Sequence, residues 1–62
     1  MSARIVWSDG VAVGTVRKYV GATARTMGSD PAYAAYPVDG TKSAAVFNTW
    51  TDARDYLIRL AR

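Results

Sequence analysis

The chain has 62 residues and no cysteine, histidine or glutamate, which excludes a disulfide framework, a thiolate zinc site and the commonest general base. Six Arg and two Lys against five Asp give a net charge of +3 and a pI near 9.7, a mild bias toward a polyanionic partner that is also an ordinary charge for a small soluble domain. No run approaches the roughly 18 apolar residues of a membrane span and no signal-peptide core opens the chain, so a soluble, cytoplasmic protein is expected.

A domain of this length buries only about 60% of the surface its unfolded chain exposes. Stability must come from one packed core, and the two Trp, four Tyr and one Phe are its obvious bulk. The preference for Ala, Val and Arg over Lys, Glu and Ile fits GC-rich coding, as in an actinobacterium or one of its phages.

In chain order, residues 3–20 predict a hairpin. Asp9-Gly10 sits between β-branched runs, and a two-residue type I′ turn needs positive φ at both central positions. That turn pairs Ser8 with Val11, Trp7 with Ala12, Ile5 with Gly14 and Ala3 with Val16. Alternation then puts Ala3, Ile5, Trp7, Ala12, Gly14, Val16 and Val20 on one face. Arg4, Val6, Ser8, Val11, Val13, Thr15, Arg17 and Tyr19 take the other. The first face is expected to be core, with Gly14 leaving room for a ring or a helix to approach the backbone.

Residues 21–31 contain two Gly and Ser-Asp-Pro without sustained periodicity, and predict a loop with room for one helical turn at 22–27. Residues 32–47 predict a second hairpin about Asp39-Gly40, pairing Tyr36 with Ser43, Ala35 with Ala44 and Tyr33 with Val46. Pro37 cannot donate to a ladder, so its strand has an unpaired side or ends there.

Residues 49–61 predict a helix. Thr49 is a good N-cap, and Asp52 suits a capping box and the positive end of the dipole. Trp50, Ala53, Leu57 and Leu60 form one apolar stripe, with Asp52, Asp55, Arg59 and Arg62 opposite. The fold class that follows is α+β: one domain, residues 1–62, with a three- to four-stranded antiparallel sheet and the helix packed on one face. The expected core is Ile5, Trp7, Val16, Phe47, Trp50, Ala53, Leu57 and Leu60.

No catalytic constellation is present: no phosphate loop, no dinucleotide fingerprint and no nucleophile-base pair. The chain is expected not to be an enzyme, and to require no cofactor or metal. Function is expected on the sheet face away from the helix. There Arg4, Thr15, Arg17 and Tyr19 offer donors, a hydroxyl and a ring suited to phosphates and base edges, with Lys18 and Arg25 adding phosphate contacts. Arg and Thr are also ordinary solvent-side strand residues. Val6, Val11 and Val13 on that same face would suit a protein partner better than a nucleic acid.

The run A-Y-A-A-Y-P-V-D-G-T-K-S-A-A-V-F-N-T-W-T-D-A-R-D-Y-L resembles the sheet-plus-helix DNA-binding domains of plant ethylene-response factors and of the arm-binding modules of tyrosine integrases. The resemblance rests on an aromatic-and-alanine strand, a D-G turn, "F-x-T-x-x-x-A" and an amphipathic closing helix. Its matched positions, Phe47, Thr49, Ala53, Tyr56 and Leu57, are scaffold positions. It implies a sheet that enters the major groove with the helix behind it. Arg4, Arg17 and Tyr19 are loose counterparts of the strand residues that contact DNA in those families, while the extra alanine-rich strand and low charge depart from the pattern.

The leading expectation is a small double-stranded DNA-binding module of phage or mobile-element type, acting in the host cytosol. The alternative is a protein-binding module, either a modulator of a host protein or a homodimer joined through Val6, Val11 and Val13. Charge placement separates them: one exposed patch of Arg4, Arg17, Lys18 and Arg25 favours DNA, and an apolar face favours protein.

Overall fold

A computed structural model describes residues 2–62. The chain runs β1 (Ser2–Ser8), β2 (Val11–Tyr19), α1 (Ala22–Met27), β3 (Ala32–Pro37), β4 (Ala45–Phe47) and α2 (Trp50–Leu60). The strands form one antiparallel sheet in the order β1-β2-β3-β4, and α2 packs across one face of it. This is the α+β fold that the sequence predicts.

Asp9 and Gly10 both have positive φ, 53° and 78°, as the tight hairpin turn requires. Ser8 pairs with Val11 and Trp7 with Ala12, and then the register slips. Val6 pairs with Gly14, Ile5 with Thr15, Arg4 with Val16 and Ala3 with Arg17, which leaves Val13 as a one-residue bulge in β2. A slip of one residue inverts which side of β1 meets the core. Val6 is 4% exposed, whereas Ile5 and Trp7 are 57% and 61% exposed. The expectation that Ile5 and Trp7 are core residues is therefore wrong for β1, although β2 keeps its expected faces at Gly14, Val16, Thr15 and Arg17.

The bulge has a reason that can be read from β2. Val13 and Val16 are three residues apart, so a regular strand would point them to opposite faces. The inserted residue lets both enter one cluster with Val6, Ala35, Ala53 and Leu57. Gly14 lies between them, and the methyls of Leu57 reach so close to its backbone that an added Cβ would stand 2.7 Å from Cδ2. A helix therefore does approach here, as expected of this glycine.

The second hairpin also shifts. Tyr33 pairs with Phe47, Ala34 with Val46 and Ala35 with Ala45, one residue away from the pairing that a two-residue Asp39-Gly40 turn predicts. The intervening residues 38–44 form a longer connection. In it the Asp39 carboxylate accepts from the Thr41 backbone N–H at 2.9 Å and from its hydroxyl at 2.7 Å, a side-chain closure that competes with a tight hairpin. Residues 21–31 are not loop throughout. The one-turn expectation holds as α1, where Ala24 is fully buried, Gly28 N–H donates back to Ala24 C=O at 3.1 Å, and the helix packs against β3.

Helix α2 begins where predicted, the Asp52 N–H donating to Thr49 Oγ1 at 3.2 Å. Ala53 and Leu57 are fully buried, while Trp50, Tyr56 and Leu60 are half-buried beside them. The Tyr56 ring meets Phe47 at 5.3 Å between centroids, and its hydroxyl donates to the Ser43 carbonyl at 2.6 Å. The Lys42 ammonium donates to the Leu60 carbonyl at 2.6 Å, satisfying an orphan acceptor at the helix end. The connection 38–44 is thus tied to α2 at two points.

Two stability outcomes follow from the Gly14–Leu57 contact. Leu57→Ala should cost about 2–5 kcal/mol in urea unfolding. Gly14→Ala should cost about 1–3 kcal/mol, because its Cβ would also lie 2.5 Å from the Tyr36 backbone oxygen. Since that carbonyl remains, Leu57→Ala should not rescue Gly14→Ala in a double-mutant cycle.

Candidate binding surface

With α2 on one side, the sheet's other face is built from four cross-strand rows. Tyr19 with Ala32 form the first, Ala3, Arg17, Ala34 and Val46 the second, Ile5, Thr15 and Tyr36 the third, and Trp7 with Ala12 the fourth; Ala32 and Ala34 are buried, and α1 packs against the β3 strand that carries them. Tyr36 and Val46 are 39% and 44% exposed, so four large apolar side chains lie open on one surface with Ile5 and Trp7. Arg17 is the only charged side chain that the described strand residues place on this face.

Tyr19 stands at the end of the face, its hydroxyl 3.4 Å from that of Tyr36. The Tyr36 hydroxyl, then the nearby Arg17, holds the Tyr19 phenol below the ordinary tyrosine range. The Tyr36 phenol is pushed up, first because its proton is shared with Tyr19 and then by desolvation. Arg17, Tyr19 and Tyr36 therefore form one polar cluster within an otherwise apolar surface.

Of the six residues expected to contact DNA, the fold brings Thr15, Arg17 and Tyr19 together on the open face. The other three lie elsewhere. Arg4 is on the α2 side, its guanidinium 5.5 Å from the Trp50 ring centroid, because the bulge reverses β1. Lys18 follows Arg17 by one residue and so points to the α2 side, with its ammonium 5.9 Å from the Tyr33 ring centroid. Arg25 is on α1, paired with Asp30 at 3.3 Å. Arg4, Arg17, Lys18 and Arg25 thus do not form one exposed patch, the placement that would favour DNA.

The valine patch fails for the same reason. Val6 and Val13 are in the core, and Val11 sits at the hairpin tip opposite Ser8. The residues that do occupy the open face, Ile5, Trp7, Tyr36 and Val46, were not among the expected contacts. The odd spacing of Val13 and Val16 is compatible with the bulge that turns Trp7 outward but does not by itself require it.

Comparison with protein-family models, characterised proteins and solved structures finds no match to this chain. Among the described residues, no helix is long and apolar enough to cross a membrane, and no group of three His, Cys, Asp or Glu could hold a metal ion.

The tyrosine pair can be checked by ultraviolet or NMR titration. Tyr19→Phe should bring the Tyr36 phenol down toward the ordinary value, since its largest upward cause is removed. Arg17→Ala should raise the Tyr19 phenol. An unshifted Tyr36 in Tyr19→Phe would mean that the two hydroxyls do not share a proton.

Proposed function

We propose that the chain is a non-enzymatic binding module whose working surface is the open sheet face, and that its partner is a protein. The partner's complementary patch is apolar and carries a carboxylate for Arg17. The observation that carries this reading is the exposure of Ile5, Trp7, Tyr36 and Val46 on one side of the sheet, where the strands carry a single cation, Arg17. Trp, Tyr and Arg are the side chains that concentrate binding energy at protein interfaces, and an exposed apolar patch tends to mark such a site. A surface for duplex DNA would instead gather many cations, because phosphate neutralisation dominates affinity. The setting we infer from the Ala- and Arg-rich composition is a phage or mobile element, with a host protein as partner.

Double-stranded DNA is the second reading, supported by Thr15, Arg17 and Tyr19 lying along one strand on the face of a sheet backed by a helix. That is the arrangement implied by the resemblance to the ethylene-response-factor and integrase arm-binding domains. A homodimer through the same face is the remaining form of the protein reading.

One set of variants separates these readings. A photo-crosslinker in place of Ile5 should capture a defined partner in cells that encode the protein, or a second copy in sedimentation of the pure chain. Trp7→Ser should weaken that association by about 2 kcal/mol or more, and Arg59→Ala on the outer face of α2 should leave it unchanged. Saturable binding to random duplex at ~50 mM salt, with a log–log salt slope about one unit shallower in Arg17→Ala, would overturn the protein reading in favour of DNA.

A further inference from the structure

On the α2 side of the sheet, Arg4, Val16, Lys18, Tyr33 and Trp50 enclose a cleft of about 270 Å³. It is independent of the open face: Arg4 and Lys18 point to the opposite side from Arg17. Its floor is Val16, which is buried, and its walls are two half-buried rings. Each ring carries a cation, Arg4 over Trp50 and Lys18 over Tyr33. Among the described residues neither cation has a carboxylate partner, and no acidic side chain lines the cleft. Asp52, in the first turn of α2, lines a separate groove with Asp55, Ile58, Arg59 and Arg62.

We infer that this cleft is a binding site for a phosphate monoester. A guanidinium held over an indole keeps its N–H edge free, and that planar fork matches two oxygens of a tetrahedral oxyanion. The Lys18 ammonium supplies a second, rotatable set of donors from the neighbouring strand. Two unpaired cations favour a doubly charged phosphate over a singly charged carboxylate. The positive end of the α2 dipole, which begins at Trp50, adds to the same field, with Asp52 opposing it in part. The rings and Val16 offer apolar area to the group that carries the phosphate, and the cleft volume lies just below the range of small-molecule pockets. The ligand is therefore compact, of about mononucleotide size or smaller.

The test follows amide and indole signals of the full chain by NMR in titrations with adenosine monophosphate, inorganic phosphate, adenosine, and sodium chloride at matched ionic strength. The two tryptophans lie on opposite faces, so the Trp7 indole is an internal control. Both phosphate probes should shift the Trp50 indole and the Lys18 and Tyr33 amides saturably, with Trp7 unmoved. Lys18→Gln and Arg4→Gln should each weaken binding about three- to tenfold, as expected of a charge-assisted contact at an exposed site. Their own spectra report whether the fold is kept, and the comparison of probes on the unaltered chain needs no variant. Chloride producing the same shifts, adenosine binding as tightly as its monophosphate, or a folded Lys18→Gln of unchanged affinity would each overturn the assignment.

Discussion

The side chain of Leu57 rests on the backbone of Gly14, and most of the architecture is arranged around that contact. It sets how closely α2 can approach β2, and it is possible only because position 14 has no Cβ. Two valines, Val13 and Val16, flank the glycine and reach the same side through the bulge, closing the cluster around Leu57. Val6 completes it from β1. Once Val6 is inside, alternation carries Ile5 and Trp7 outside and brings Arg4 back over Trp50. One packing contact thus determines both the composition of the open face and the position of the cationic cleft.

The elements whose signals are local were legible in the sequence. The Asp9-Gly10 turn, the Thr49 cap and the Trp50-Ala53-Leu57 stripe each depend on residues within one turn of each other, and each appears where predicted. What was not legible is register. The Ala-Val-Gly run of β2 accepts either a regular ladder or a bulge, and the choice is decided by Leu57, more than forty positions downstream. The same holds for the second hairpin, where the Asp39 side chain captures Thr41 and lengthens the turn by a route that dipeptide preference does not show. The candidate site divided along this line. Thr15, Arg17 and Tyr19 sit on β2, beyond the bulge but with unchanged parity, so their face was foreseen. Arg4 sits on β1 and was not.

The distribution of charge carries a second consequence of the fold. The cations that a linear reading gathers into one patch are separated by strand alternation and by an ion pair. Arg17 faces the open side, Arg4 and Lys18 face α2, and Arg25 is bound to Asp30. The net charge of +3 is therefore not concentrated on one surface. Two surfaces of different chemistry result: a largely apolar face with one cation at its centre, and a small cleft with two cations over rings.

The core is built mostly from small side chains. Its fully or nearly fully buried side chains are Val6, Val13, Val16, Ala24, Ala32, Ala34, Ala35, Ala53 and Leu57, so alanine is the commonest residue among them and Leu57 the only large one fully enclosed. A fold short of buried apolar area would gain most by turning Trp7 and Ile5 inward, since each fully buried large side chain contributes about 1.5–3 kcal/mol. They are outside because the register slip between Val6 and Trp7 puts Val6 in the core, and alternation then turns both away from it. Trp7 and Ile5 are left on the sheet's other face, and on the reading proposed above a partner that binds only the folded state would raise its stability by mass action. The sparse core and the exposed face are thus two sides of one arrangement: the apolar area that the core lacks is the area that Ile5 and Trp7 leave exposed.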